Sequence, residues 1–203
     1  MLLEFVLPLV LSYLLGSVAF SIIVARLVKG IDIRQHGSGN AGATNTLRVL
    51  GKGPAVIVFL LDIGKGVAAV YLGQWLGGGG EWPMVLSGLA AIAGHNWPVW
   101  FRFKGGKGIA TTIGVMATLA FLPALSAGVL AILLIVITRY VSLGSLVFAA
   151  LTPIFILVLD YPLPLFWASL VICVFAFVRH RSNIVKLLQG KENKLGTGKR
   201  SVS

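Results

Sequence analysis

The sequence predicts an all-α integral membrane protein with about seven transmembrane helices, two of them short. Hydrophobic residues make up 57% of the 203 residues, and the mean hydropathy is +0.94. Charged residues make up 11%, well below the roughly 25% that is usual in soluble domains. Apolar runs follow one another along the chain, separated by short polar loops. These observations favour a single transmembrane domain over residues 1–185 and a polar, basic tail over residues 186–203.

The apolar segments can be placed in order along the chain. They lie near residues 4–25, 54–76, 83–101, 108–122, 124–138, 144–159 and 164–178. The fourth and fifth are short, since 15 helical residues rise only about 23 Å. We expect these two to be half-length or tilted elements divided at Phe121-Leu122-Pro123, because proline disfavours a continuous helix. The number of spans is five or seven, depending on that break.

The charges predict how the protein lies in the membrane. Cytoplasmic loops concentrate lysine and arginine, and the seven-span layout puts the basic loops on one side. The opposite loops contain the acidic residues Glu4, Glu81 and Asp160. We therefore predict an N-terminus outside and a cytoplasmic C-terminus. The net charge of +11 is spread over separate loops without a basic soluble domain, so nucleic-acid binding is not expected.

Glycines and small polar residues are concentrated in the segment GSGNAGATNTLR, residues 37–48. Glycines let backbone N–H groups converge on one point, and arginine offers a two-pronged contact to phosphate oxygens. The alternative is a solvated turn with helix caps, but a turn alone does not require so many small polar residues before an arginine. A dinucleotide fold is not expected from the GxGxxG spacing, because a membrane span precedes it rather than a strand. The predicted phosphate contacts in this segment are Ser38, Gly39, Asn40, Thr44, Asn45 and Arg48.

A second cationic cluster, FKGGKGIAT, occupies residues 103–111. Lys104 and Lys107 flank Gly105 and Gly106 at the start of an apolar segment. A Walker A motif is excluded, because Gly108 follows Lys107 where that motif has serine or threonine. The two lysines are also suited to anchor the chain at the membrane surface. The dipole disfavours cations at a helix N-terminus, so we predict that a bound anion compensates them.

Polar residues at further helix ends and inside one span complete the candidates. His180 and Asn183 are three residues apart and can face the same pocket, and Ser145 lies in RYVSLGS at another cytoplasmic junction. Inside the second apolar segment, Asp62 and Lys65 are predicted to pair with each other.

The three histidines provide no familiar acyltransferase base, because no aspartate follows any of them at the spacing His-x4-Asp. His95 is equally suited to brace its loop or to act in a site. No HExxH or Cys/His cluster is present either, so we expect no metal and no cofactor.

Five motifs together resemble the bacterial acyl-phosphate-dependent glycerol-3-phosphate acyltransferases of the PlsY type. The resemblance covers Leu14 to about Leu188, and the long first and third motifs make it specific. In chain order, the motifs are GSGNAGATNTLR, LLDIGKG, GHNWPVWFRFKGGKGIAT, RYVSLGS and RHRSNI.

The resemblance implies a single transmembrane acyltransferase domain in the bacterial cytoplasmic membrane, with its active site facing the cytoplasm. Such an enzyme transfers a fatty acyl group from a long-chain acyl phosphate to the 1-hydroxyl of glycerol 3-phosphate, giving lysophosphatidic acid and phosphate. A soluble enzyme that makes the acyl phosphate is the implied protein partner. By matched positions, catalytic roles fall on Ser38, Arg48, Lys107, His180 and Asn183. Ser145 is matched as well, with Lys104 close by. Phosphate binding is predicted for these two residues and, from the glycine-rich segments, for Gly39, Asn40, Thr44, Asn45, Gly105 and Gly106.

Two other functions fit a membrane protein with phosphate-binding loops. An organophosphate transporter would place its cationic sites near the midplane on broken helices. The clustering of basic residues at one face and the absence of an inverted repeat disfavour it. A non-catalytic scaffold that binds anionic lipid is disfavoured because four separate polar clusters exceed what headgroup attraction needs.

Overall fold

The computed structural model describes residues 2–196, and within this range the chain forms helices and connecting turns without β-strands. The predicted all-α class is confirmed. The described helices are α1 (Leu2–Gly16), α2 (Phe20–Lys29), α3 (Ala43–Leu50), α4 (Lys52–Leu76), α5 (Glu81–Asn96), α6 (Ile109–Leu119), α7 (Phe121–Thr138), α8 (Val141–Val158), α9 (Leu163–Arg179) and α10 (Arg181–Leu188). Short 3-10 turns lie at Ile33–Gln35 and Val99–Phe101.

Fewer helices than predicted are long enough to cross a membrane. Four candidate spans satisfy length and composition among the described residues: Leu3–Lys29, Lys52–Leu76, Phe121–Thr138 and Val141–Val158. The number becomes five if α9 and α10, which meet at 63°, are taken as one bent span. Helices α5 and α6 contain 16 and 11 residues, and α6 rises only about 16 Å. Seven full spans are therefore not confirmed.

The break between the fourth and fifth apolar segments lies at Ala120, just before the predicted tripeptide. Helix α6 ends at Leu119 and α7 begins at Phe121, so Pro123 falls in the first turn of α7. Proline is tolerated there because the N–H groups of a first helical turn have no partner within the helix. As a result, the fourth segment is short as predicted, and α7 reaches 18 residues.

The apolar core lies between α4, α5, α6, α8 and α9. Its largest fully buried side chains include Val70, Val85, Ile92, Met116 and Ile156. Many leucine, isoleucine and valine side chains on the outer faces stay exposed, as expected where the surrounding solvent is lipid.

Helices α4 and α6 approach each other closely through two glycines. A Cβ atom on Gly66 would meet the backbone of Thr111, and one on Gly114 would meet the carbonyl of Ile63. Small residues allow this close backbone approach in membrane helices. The contact fixes the start of α6, and with it the FKGGKGIAT segment, beside α4.

The predicted pairing of Asp62 with Lys65 is confirmed. Their side chains are almost fully buried, and Lys65 Nζ lies 2.8 Å from Asp62 Oδ1. The same ammonium donates to the carbonyl of Val18 at 2.8 Å, in the break between α1 and α2. His95 Nδ1 on α5 lies 3.5 Å from Asp62 Oδ1. A buried charge in a membrane needs such partners, and here they join four helices.

The predicted boundary at residue 186 falls inside α10, and the chain then folds back over the helix ends. The N–H of Leu195 donates to the carbonyl of Arg139 at 2.7 Å, and Lys194 Nζ lies 5.5 Å from the centre of the Tyr140 ring. Residues 189–196 thus form a strap that lies against the α7–α8 connection. Residues 197–203 of the predicted tail lie outside the described residues.

Candidate functional site

A cavity of about 720 Å³ opens between α3, α4, α6, α7, α8 and the corner where α9 meets α10. Its wall is polar at one end and apolar along the remainder. The structure brings eleven of the thirteen predicted site residues to this wall. They are Ser38, Gly39, Asn40, Thr44, Asn45, Arg48, Gly105, Lys107, Ser145, His180 and Asn183.

Asn45 shapes the loop that carries the first cluster. Its Oδ1 accepts from the N–H of Ser38 at 2.8 Å, while its Nδ2 donates to the carbonyls of His36 at 2.9 Å and Ile33 at 3.1 Å. Gly37 occupies the left-handed region, with φ of 62°, directly against the Asn45 amide. The amide group of Asn45 is therefore bonded to the loop backbone, and Asn45 supports the neighbouring Ser38.

An arginine bridge joins this loop to the second cationic loop. Arg34 Nη2 lies 2.6 Å from Asp32 Oδ2, and Arg34 Nη1 donates to the carbonyl of Phe101 at 3.0 Å. The hydrogen bond from Arg34 lowers the pKa of Asp32 to about 2, against a smaller opposing effect of burial. The two cationic loops therefore hold a fixed relative position.

The second loop is held by its backbone. The N–H of Gly106 donates to the carbonyl of His95 at 3.1 Å. Arg179, the last residue of α9, donates through Nη2 to the carbonyl of Gly105 at 2.9 Å and through Nε to that of Gly106 at 3.0 Å. A Cβ atom on Gly106 would collide with the His95 ring and with the carbonyl of Ala41. Only glycine fits there, and the carbonyls of this loop are turned toward α9.

Lys107 begins a chain of polar contacts across the mouth of the cavity. Its Nζ donates to Asn183 Oδ1 at 2.5 Å, and Asn183 Nδ2 donates to Glu192 Oε1 at 2.9 Å. Burial lowers the pKa of Lys107 to about 8; nearby Glu192 opposes this shift, and Arg48 adds to it. The Arg48 guanidinium reaches the carbonyl of Asn193 at 3.4 Å. The strap therefore closes one side of the cationic end.

His180 stands at the corner between α9 and α10 and is almost fully buried. Its Nδ1 lies 2.7 Å from the carbonyl of Ala176. Because a carbonyl only accepts hydrogen bonds, Nδ1 carries the proton, and in the neutral ring Nε2 is left with a lone pair. His180 and Asn183 both line the cavity, as their spacing of three residues predicts.

Two predicted phosphate ligands do not reach the cavity. Lys104 is exposed and lies off the cavity wall, because the backbone turns through left-handed conformations at Arg102 and Phe103 and directs the segment outward. Gly106 is buried beneath His95, and its bonds are to Arg179 and His95. The cation that this loop gives to the cavity is Lys107.

The apolar part of the cavity runs along the hairpin of α6 and α7. Helix α6 leads away from the cationic end, and α7 returns to it after the break at Ala120. The lining side chains recur every three or four residues, which places them on one face of each helix. They include Ile113, Ala117, Phe121, Leu125, Gly128, Ile132 and Ile135, with Phe148 from α8.

No cluster of three or more His, Cys, Asp or Glu side chains within residues 2–196 has the grouping that a metal ion needs. Asp62, His95 and Glu192 line the cavity, but most of its polar groups are cations, amides, hydroxyls and backbone N–H donors, which are the usual ligands of phosphate.

The sequence model of the glycerol-3-phosphate acyltransferase family matches residues 6–190. The chain belongs to this family. Glycerol-3-phosphate acyltransferases of Shouchella clausii and Halalkalibacterium halodurans are similar to it over almost their whole length. The first is 59% identical over 191 residues, covering 91% of this chain and 93% of the relative. The second is 58% identical over 193 residues, covering 93% and 94%.

Solved structures of this acyltransferase family share the fold. The glycerol 3-phosphate form of PlsY (YgiH), an integral membrane glycerol 3-phosphate acyltransferase, superposes with a TM-score of 0.89 at 40% identity, covering 94% of this chain and 95% of that one. Its lysophosphatidic acid form gives a TM-score of 0.86 at 39% identity, with the same coverage. The chain is therefore an integral membrane glycerol-3-phosphate acyltransferase, and its activity belongs to phospholipid biosynthesis.

Some residues at the acyltransferase cavity were not predicted from the sequence. Arg179 begins the RHRSNI motif but is not among the predicted site residues, and Glu192 and Asn193 lie in the predicted polar tail. Glu192 carried one usable signal, since it is the only acidic residue after Asp160 in an otherwise basic segment. Arg179 had none, because its partners are backbone carbonyls more than 70 residues away.

Proposed function

We propose that the protein transfers a fatty acyl group from a long-chain acyl phosphate to the 1-hydroxyl of glycerol 3-phosphate. Lysophosphatidic acid and inorganic phosphate are the products, and no cofactor takes part. One observation carries the proposal: a cationic pocket with glycine-rich walls continues directly into an apolar channel. This combination suits a substrate pair in which both members carry phosphate and one also carries a long hydrocarbon chain.

The phosphate groups bind at the cationic end in this proposal. Arg48 contacts phosphate oxygens through its guanidinium, and Lys107 supplies a point charge. Hydrogen bonds come from the hydroxyls of Ser38, Thr44 and Ser145, the amides of Asn40 and Asn183, and backbone N–H groups at the start of α6. Support comes from their shared place on the cavity wall. The N-terminal dipole of α6 adds to the attraction of an anion.

The chemistry is a direct acyl transfer. The glycerol hydroxyl oxygen forms a bond to the carbonyl carbon of the acyl phosphate, and the bond between that carbon and the phosphate oxygen breaks. Negative charge grows on the leaving phosphate, next to Lys107. A preorganised donor of this kind is worth about 3 to 4 kcal/mol, or about 100- to 1000-fold in rate. No covalent enzyme intermediate is needed.

The hydroxyl proton goes to a phosphate oxygen of the substrates and leaves with inorganic phosphate. Two features support this route: two phosphates must lie close together, and fixed geometry supplies much of the rate. Asp62 and His95 also line the cavity, but the Asp62 carboxylate is engaged by the Lys65 ammonium. His180 is proposed to accept a hydrogen bond through Nε2 from the 2-hydroxyl of glycerol 3-phosphate, because its Nδ1 is bonded to the Ala176 carbonyl. The proton of the reacting 1-hydroxyl is then free to move to a phosphate oxygen. Its role is catalytic by contact with the substrate.

The site is proposed to face the cytoplasm across the bacterial cytoplasmic membrane, with the N-terminus outside and the C-terminus inside. The loops at the cationic end are also those rich in lysine and arginine, which favours this orientation. Both substrates would then arrive from the cytoplasm, and a soluble enzyme that makes acyl phosphate would be the supplying partner.

The decisive experiment uses the full chain purified in detergent, with radiolabelled glycerol 3-phosphate and palmitoyl phosphate. We expect a labelled lysophosphatidic acid and release of inorganic phosphate. Lys107→Ala should lower turnover by about 100-fold or more, because a charge at the leaving group is lost. Lys104→Ala is the matched control, since this lysine in the same loop is exposed and lies off the cavity wall.

Each alternative gives a different result in this assay. A transporter or a lipid-binding scaffold makes no labelled lipid. Equal activity in the Lys104→Ala and Lys107→Ala proteins would contradict the proposed site while leaving the reaction intact. Product formed only from an acyl thioester would contradict the proposed donor.

A further inference from the structure

Gly128, in the middle of α7, has no packing reason to be a glycine. An ideal Cβ atom built on it meets no heavy atom within 4 Å, and its φ is not in the left-handed region. A glycine inside a helix is less favourable than alanine, and no packing contact here requires it. The residue lies on the wall of the cavity. The space beside Gly128 is therefore cavity space.

A second glycine on the cavity wall shows what a packing glycine looks like. A Cβ atom on Gly144 would collide with the side chain of Ile135 and approach the carbonyl of Ala131 at 2.8 Å. Gly144 allows α8 to pack closely against α7, whereas no other group packs against Gly128. The empty volume at Gly128 is open to a ligand.

Gly128 stands halfway along the apolar channel. Ile135 lies near the cationic end, and Phe121 lies at the distant end beside the break at Ala120. Fourteen residue steps of α7 separate these two, which is about 21 Å. An extended 16-carbon chain is about 19 Å long, at about 1.25 Å per carbon along a zigzag of single bonds. The channel therefore matches a long-chain acyl group in length, and Gly128 lies about 10 Å from either end.

We propose that Gly128 determines the length of acyl chain that this enzyme accepts. The missing side chain lets carbons beyond about the eighth pass toward Phe121. A large side chain at position 128 would close the channel there and leave room for a short chain alone. This inference rests on the proposed function for the presence of an acyl chain, and it adds the residue that sets chain length.

The test compares palmitoyl phosphate with octanoyl phosphate as donors for the full-length Gly128→Phe protein. We expect kcat/KM for the 16-carbon donor to fall about 100-fold, while that for the 8-carbon donor changes by less than about threefold. Gly128→Leu should give a smaller shift of the same sign, and it serves if the phenylalanine variant is poorly folded. Gly64→Phe is the matched control, because Gly64 on α4 is also open and exposed but lies off the cavity wall.

The proposal is overturned if both donors lose the same factor, or if Gly128→Phe and Gly64→Phe behave alike. Wild-type protein that makes no product from either acyl phosphate would contradict the proposed function instead. In that case, the role of Gly128 in chain-length selection is tested by thermal unfolding in the presence of lysophosphatidic acids with 8 and 16 carbons. Gly128→Phe should lose stabilisation by the 16-carbon lipid alone, and retained stabilisation would overturn the role of Gly128.

Discussion

Lys107 is the residue whose charge most directly controls the site. Its ammonium lies in a half-buried position between a basic group, Arg48, and the acidic Glu192. Burial favours the neutral amine, so the pKa falls to about 8. Above this pH the Lys107 side chain is neutral, and it can no longer attract phosphate or stabilise a leaving phosphate.

We therefore predict that kcat/KM for glycerol 3-phosphate decreases as pH rises through about 8. The lowered pKa means that Lys107 is charged below this value and neutral above it. Phosphate monoesters lose their second proton near pH 6, so their charge is constant in this range. The measurement is a pH profile of kcat/KM between about pH 7 and 10, above the titration of the substrate phosphate.

Lys107→Arg is the control for that profile, because arginine keeps its charge throughout this range. We expect lower activity overall, since the guanidinium has a different shape, but no decrease near pH 8. If the variant shows the same decrease as the wild type, another group is responsible for it.

The site residues that could be predicted from sequence are those with a local signal. Ser38, Arg48 and Lys107 lie among glycines within a few residues, and His180 and Asn183 share a helical face by their spacing. Glu192 and Arg179 meet the site through tertiary contacts. The single acid in a basic segment is a weak signal for Glu192, but the local pattern does not place either residue at the site. Lys104 is the opposite case, because the local pattern includes it among the phosphate ligands. The backbone turns at Arg102 and Phe103, and the Lys104 side chain is exposed.

The connection between α5 and α6 is held in position by hydrogen bonds from the end of α9. Arg179 holds the carbonyls of Gly105 and Gly106, and its guanidinium lies 5.7 Å from the centre of the Trp97 ring. Carbonyl and N–H groups point in opposite directions across a trans peptide. Holding the Gly106 carbonyl therefore turns the N–H of Lys107 away from α9. Arg179 is in this sense a positioning residue for the loop.

We predict that Arg179→Lys lowers kcat/KM by about 10- to 100-fold, because a misplacement of about 1 Å in a reacting geometry is worth up to about 100-fold. A lysine ammonium cannot hold both carbonyls with the fixed spacing of a guanidinium. Arg181→Lys is the matched control on the next helix, with an exposed side chain. The unfolding temperature of both proteins should be measured beside the kinetics.

A positioning role requires that Arg179→Lys lose activity while its unfolding temperature stays near that of Arg181→Lys. The pH profile should also change, because a displaced loop alters the burial of Lys107. Equal kinetics in the two variants would contradict this role, and a large loss of thermal stability would make Arg179 a structural residue instead.

The positions of the helices could be predicted from the sequence where an apolar segment defines the helix. Apolar segments gave the positions of α4 and α8 closely, because these helices bury one face and expose the other to lipid. Helix α10 and the strap over residues 189–196 gave no such signal, because they are polar. Their structure depends on contacts with distant elements, such as the bond from Leu195 to Arg139. Of the two predicted numbers of spans, seven is not confirmed, and five is reached among the described residues if α9 and α10 form one bent span. Apolar composition alone does not fix where a helix ends.

The orientation of the whole molecule in the membrane depends more on its distribution of charge than on any single ion pair. Arg48, Lys107, Arg179 and Lys186 converge on one end of the cavity. Glu81 begins α5 and Asp160 lies in the turn between α8 and α9, both away from the cationic end, and inside α4 the charges of Asp62 and Lys65 are paired with each other. The molecule is therefore strongly polarised along the direction in which its helices run. Because basic loops are favoured on the cytoplasmic side of a membrane, this polarity favours one orientation of the molecule.

We predict that the start of α5 faces the outside and the start of α4 faces the cytoplasm. Glu81 and Lys52 are the first residues of these helices, and both are exposed. In a Cys173→Ser background, which removes the single native cysteine, Glu81→Cys and Lys52→Cys provide matched reporters. A membrane-impermeant maleimide should label the Glu81→Cys protein in intact cells, and the Lys52→Cys protein only after the membrane is opened. Because both sites are equally placed on their helices, the difference reports orientation rather than local accessibility. The reverse pattern would turn the cationic end outward and remove cytoplasmic supply of both substrates.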